Sequence, residues 1–135
     1  DALCRAYYDC VVRDGDMDAF LSHLKTFYDK FPYTLVNNNE RHYQAVMYTI
    51  FAMLGTDITP EQPTSDGRID MVLKTDDYIY IFELKYGKDA ETAITQIENK
   101  KYAAAFADDK REKVLVGINF SEDSRTIDDW SVIGM

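Results

Sequence analysis

The chain has 135 residues, of which 46% are hydrophobic and 29% charged, with a formal net charge of -9 and a pI of about 4.6. That length suits one compact domain, residues 1–135, with a real core and no room for a second. The acidic balance excludes a protein that coats nucleic acid non-specifically through Lys and Arg, and no membrane span or secretory leader is visible.

Leu3, Ala6, Tyr7, Cys10 and Val11 recur at helical spacing, and Asp14-Gly15-Asp16 is expected to stop that helix and cap the next. Met17, Phe20, Leu21, Leu24, Phe27, Tyr28 and Phe31 form one apolar stripe ending at Pro32, so residues 1–31 read as a helical hairpin. No chemistry is apparent there, and its expected work is packing against the core or docking to an upstream domain. Residues 38–132 form the predicted core unit. Asn37-Asn38-Asn39 supplies a cap for a third helix whose stripe is Tyr43, Val46, Met47, Ile50 and Leu54, ended by Gly55. Glu40 stands at the inward end of that stripe, where a carboxylate either points at a site or turns back to the helix start.

After Gly55 the pattern predicts a short strand at Asp57–Glu61, a loop through Pro63 to Gly67, and a hairpin of Arg68–Lys74 and Tyr78–Lys85. One helix is expected from Ala90 to Phe106 with Ala93, Ile94 and Ile97 inward, followed by an apolar strand Val114–Phe120, a turn Ser121–Arg125 and a last strand Thr126–Val132. This order predicts an α/β fold with a mixed sheet between helical layers. The hairpin is antiparallel, and the unit from Tyr78 to Phe120 makes a right-handed parallel crossover.

The hairpin carries the chemistry. With Asp76-Asp77 as a two-residue turn, Thr75 pairs with Tyr78, and counting back places Asp70 opposite Glu83 with Lys85 on the same face as Glu83. Val72, Ile79 and Ile81 share that face and argue that it is covered. Directly opposed Cβ atoms lie about 4.5–5.5 Å apart, so the two carboxylates repel unless a cation lies between them. Hard oxygen donors from Asp70, Glu83, Glu40 and the Leu84 main-chain carbonyl suit Mg²⁺ or Mn²⁺.

Gly67-Arg68-Ile69-Asp70, a short hairpin and Phe82-Glu83-Leu84-Lys85 together resemble the PD-(D/E)xK nuclease superfamily, with Ile69 where a Pro is usual. More closely, Asn39-Glu40-Arg41-His42-Tyr43, the hairpin, and Gln96-Ile97 to Tyr102 resemble the nuclease-like domain that follows an AAA-ATPase-like module in a group of bacterial proteins. The resemblance implies a three-layer αβα, restriction-endonuclease-like core and a metal-dependent attack of water on a DNA phosphodiester. It also implies that Asp70 and Glu83 are metal ligands, that Lys85 is catalytic, and that Gln96 orients the lysine or the substrate. Tyr102 follows Gln96 by six positions, not the four of the better-known glutamine-tyrosine pattern.

The surroundings fit a cytoplasmic segment of a longer protein. The chain opens on Asp1 and holds no P-loop, so it reads as a piece of a longer protein, and the resemblance implies an ATPase partner domain upstream. Cys4 and Cys10 read as reduced, packed thiols. Charge is uneven: residues 85–113 hold seven bases and six acids, residues 1–84 seven bases and fourteen acids, so a phosphate-bearing ligand is best tolerated near Lys85. His23 and His42 are expected at the surface or in packing, and Tyr43, Tyr48, Tyr78, Tyr80 and Trp130 in packing. The acidic surface also motivates a rival reading, a nuclease-like interaction or regulatory module without turnover.

Overall fold

The computed structural model describes residues 2–30, 40–123 and 126–134. Phe31, Pro32, the Asn37-Asn38-Asn39 cap and Arg125 lie outside the described residues, as do the side chains of Tyr28 and Glu40. Five strands, β1 (Asp57–Thr64), β2 (Gly67–Lys74), β3 (Tyr78–Tyr86), β4 (Glu112–Phe120) and β5 (Ile127–Gly134), form one sheet in sequential order. Neighbours are antiparallel except β3 and β4, which run parallel, so the sheet is mixed as expected.

Helices cover both faces. On one side lie α1 (Ala2–Ala6), which continues as π-helical turns over Tyr7–Arg13, then α2 (Met17–Asp29) and α3 (Glu40–Met53). Their apolar stripes meet Met71, Leu73, Tyr80, Phe82, Leu84 and the even-numbered residues of β4 in one core. Phe20, Phe51 and Phe82 interlock there, and Tyr43 stacks on Phe120 with centroids 4.4 Å apart. On the other side α4 (Ala90–Asn99) and a 3-10 helix (Tyr102–Phe106) cover Val72, Ile79, Ile81 and Leu115. Covered on both faces, β4 is buried without a break from Val114 to Phe120, apolar except for Asn119.

Four local departures from the sequence reading have physical causes. The first helix widens, so that Asp14 N donates to Asp9 O and the Val11 carbonyl accepts from Tyr80 OH at 2.7 Å. β1 extends past Glu61 through Pro63, because an edge strand tolerates prolines whose missing N–H faces solvent. The helix expected from Ala90 to Phe106 breaks at Lys101, whose φ of 53° is left-handed, and the Tyr102–Phe106 turn folds back so that Tyr102 and Phe106 reach the core. The final strand is longer than expected, with Trp130 packed and donating its indole N–H to Asp18 at 2.6 Å.

Candidate metal centre

The hairpin register is the one the two-residue turn dictates. Thr75 N donates to Tyr78 O at 2.9 Å, and the pairs Lys74↔Ile79, Leu73↔Tyr80, Val72↔Ile81 and Met71↔Phe82 follow. One step further stand Asp70 and Glu83. Phe82 and Leu84 belong to the α1–α3 core, so Glu83 and Lys85 face the α4 layer between them.

Glu83 is only 3% exposed. The Lys85 ammonium lies 3.5 Å from its Oε2 and donates to Gln96 Oε1 at 2.5 Å. Glu83, Lys85 and Gln96 therefore converge, and α4 brings the third to the first two. Asp70 is half-buried, and its Oδ2 accepts a hydrogen bond from Leu84 N at 2.8 Å. Because the N–H and C=O of one strand residue point to the same edge, the Leu84 carbonyl also points toward β2. Glu40 opens α3, but its side chain is outside the described residues.

The neighbourhood is set from three directions. Glu83 is level with Gly117 and Lys85 with Asn119 on the parallel strand β4. A Cβ at Gly117 would lie 2.8 Å from Ala90 O and 2.9 Å from Ala93 Cβ, so the bare glycine lets α4 seat closely enough for Gln96 to reach Lys85. The start of α4 is held twice: Asp89 accepts from Thr92 N at 2.7 Å, and Asp129 on β5 accepts from Ala90 N at 3.0 Å. Asn119, 1% exposed, accepts from Lys88 N at 2.9 Å and fixes the turn between β3 and α4. Hydrogen bonding to Thr92 holds the Asp89 carboxyl below its usual range, which keeps it anionic at the positive end of the helix.

Sequence reasoning missed Asn119, Asp129 and Gln44. Gln44 donates its side-chain N–H to the Asp70 main-chain carbonyl at 3.1 Å. Its signal was available, since position 44 lies one helical turn after Glu40 on the same face. Tyr102 is 2% exposed within the α4-side core, which makes it a packing residue. His42 sits against Tyr43 edge-on, and His23 is exposed.

As a cation site, this set offers hard oxygens only: the Asp70 and Glu83 carboxylates and the Leu84 carbonyl. Among the described residues no group of three or more His, Cys, Asp and Glu gathers. A donor set this sparse fits an ion that keeps several waters, as Mg²⁺ does, better than one that needs a closed protein cage.

The sequence model of the PD-(D/E)XK nuclease superfamily matches residues 38–130. An uncharacterized protein in the vnfD 5' region of Azotobacter chroococcum mcd 1 is 32% identical over 127 residues, covering 89% of this chain and 24% of that protein. The chain thus spans about a quarter of the length of this curated relative. With the Asp and Glu-x-Lys residues on adjoining strands of a mixed sheet, and the match running from α3 into β5, the chain belongs to the PD-(D/E)XK nuclease superfamily.

Proposed function

We propose that this domain is a Mg²⁺- or Mn²⁺-dependent phosphodiesterase that cleaves DNA, with Asp70 and Glu83 as metal ligands and Lys85 at the reacting phosphate. The observation that carries the reading is the fixed Lys85 ammonium, shared between the buried Glu83 carboxylate and the Gln96 amide oxygen. A glutamine orients the ammonium without neutralising it, so the lysine keeps its charge for a phosphate oxygen. Asp70 and Glu83 together outnumber Lys85 in charge, and an anionic pocket repels a phosphodiester. A divalent ion held by Asp70 and Glu83 would offset that charge and would supply an acidified water. Asp70 on β2 and the Leu84 carbonyl on β3 would hold that ion together with Glu83, while Lys85 positions the attacking water or stabilises charge on the phosphate. Glu40, at the start of α3, is assigned as the further carboxylate of this ligand set.

On this reading residues 1–135 are one unit of a longer cytoplasmic protein: a core over 38–132 carrying the helices of residues 1–31. An ATPase-like module upstream is the partner that the sequence resemblance implies; the relative, of which the match covers 24%, has the length for further domains. No described helix is long and apolar enough to cross a membrane. Cys10 is half-buried, whereas Cys4, expected to be packed, is exposed. The test is cleavage of single-stranded and duplex DNA with Mg²⁺ and with Mn²⁺, comparing wild type with Asp70→Ala. Metal-dependent cleavage lost in the variant is expected. Its absence from the wild type, under conditions where the ion binds, supports the rival module without turnover, which the net charge of -9 favours.

A further inference from the structure

The hydrogen-bond pattern of the β2–β3 hairpin dictates what a regular strand would do at Asp70. Thr75 and Tyr78 form a hydrogen-bonded pair. Such pairs recur at every second residue of an antiparallel ladder, so Leu73 with Tyr80, Met71 with Phe82 and then Ile69 with Leu84 should follow. In that continuation the Ile69 carbonyl accepts from Leu84 N. The Leu84 amide instead donates to the Asp70 carboxylate.

The strand has turned at this point. Ile69 packs with the α4-side cluster, whereas Met71, two residues on, packs in the α1–α3 core, although strict alternation would put both on one face. Across the β1–β2 pair, Glu61 stands level with Asp70 and has a φ of 50°, so both strands depart from regular geometry together. A bend of this kind withdraws main-chain groups from the ladder, and each then needs another partner. The Asp70 carbonyl finds one in Gln44, twenty-six residues earlier on α3.

We propose that Gln44 is the positioning residue of this centre. By holding the Asp70 carbonyl from α3 it keeps β2 turned, which aims the Asp70 carboxylate at the Leu84 amide and sets Asp70 and the Leu84 carbonyl for a divalent cation. The clamp on Asp70 stands on the hydrogen bonds alone; its consequence for the cation rests on the function proposed above. Gln44 touches neither ion nor substrate in this scheme. It acts through Asp70, as outer hydrogen-bonding partners of metal ligands commonly do.

The experiment uses Gln44→Met, which keeps side-chain bulk and removes the donor, with Gln44→Ala as the second variant. Amide hydrogen exchange in metal-free protein compares Leu84 with Phe82, the last regular ladder position. Calorimetric titration with Mn²⁺ alone measures the ion. The expected result is exchange at Leu84 faster by about tenfold or more with Phe82 unchanged, and Mn²⁺ affinity weakened by about 10- to 100-fold. Equal acceleration at Leu84 and Phe82 overturns the proposal, because it reports general loosening. Unchanged Mn²⁺ affinity despite selective exchange at Leu84 also overturns it. Should the wild type bind no Mn²⁺, the metal reading fails separately, and selective exchange at Leu84 alone decides whether Gln44 clamps Asp70.

Discussion

The two ends of the β2–β3 hairpin are built to different rules. At the turn end Thr75 exchanges main-chain and side-chain hydrogen bonds with Tyr78, the ladder is regular, and Tyr80 passes its phenol to the Val11 carbonyl inside a closed apolar core. Burial pushes the Tyr80 phenol above its usual pKa, so it stays a neutral donor over the whole working range. At the other end the ladder gives way to side chains: a carboxylate takes a main-chain amide, an amide side chain takes a carbonyl, and the buried Glu83 pairs with the half-buried Lys85 on the α4 side. Regularity is kept where it stabilises and given up where donors and acceptors have to be aimed.

The largest effect should come from the irregular end. Lys85→Ala is expected to lower single-turnover DNA cleavage by about 10²- to 10³-fold, the range for loss of one preorganised donor. It should leave Mn²⁺ binding intact or tighter, since a positive charge beside the ion is gone. Asp70→Asn should lose both. Cleavage that survives Lys85→Ala at near wild-type rate would remove the lysine from the reaction. The same variant leaves Glu83 buried without its cation, so the metal-free protein should melt lower by an amount that Mn²⁺ partly restores.

A matched pair of substitutions sharpens the contrast. Tyr80→Phe strands the buried Val11 carbonyl and should cost about 1–3 kcal/mol in denaturant unfolding. Gly117→Ala forces a methyl group against Ala90 O and Ala93 on α4 and should cost about 1–3 kcal/mol by overpacking. Stability loss of similar size should part company in function. Cleavage per folded molecule should be unchanged in Tyr80→Phe and reduced in Gly117→Ala, because the displaced helix carries Gln96 away from Lys85. Equal cleavage in both would mean that the seating of α4 does not matter to the lysine.

These two ends also explain what was legible in the sequence. The hairpin register followed from a two-residue turn and alternation, which are local rules, and so the facing of Glu83 and Lys85 toward a covered side could be read directly. The apolar stripes of α2 and α3 were equally local. The turn of β2 at Asp70 was not, because it depends on the backbone of Glu61 across the sheet and on a glutamine from another element. Nor was the break at Lys101, where burial of Tyr102 and Phe106 overrides a helical pattern that runs on in sequence. Gly117 carries no signal of its own in the sequence, and its purpose appears only when α4 is laid on it.

The smallest expected effect lies away from both ends, where α2 meets the start of β5. Thr126 Oγ1 donates to Asp29 at 2.7 Å, and with help from Lys25 this bond holds the Asp29 carboxyl below its usual range. A carboxyl whose pKa is lower folded than unfolded adds stability that is present above about pH 4 and is lost as the pH falls through the folded value. Thr126→Val removes the main cause of the depression. The variant should therefore melt below wild type at pH 6 and approach it as the pH drops below about 4, with the difference small because Asp29 is exposed. Thr92→Val at the exposed α4 cap, where Asp89 is depressed in the same way, is the companion. It should show the same sign of pH dependence, but since Asp89 also accepts from Thr92 N, part of its depression survives the substitution. A difference in melting temperature that stays constant from pH 6 to pH 3 in Thr126→Val would show that the hydroxyl acts through packing rather than through the Asp29 charge.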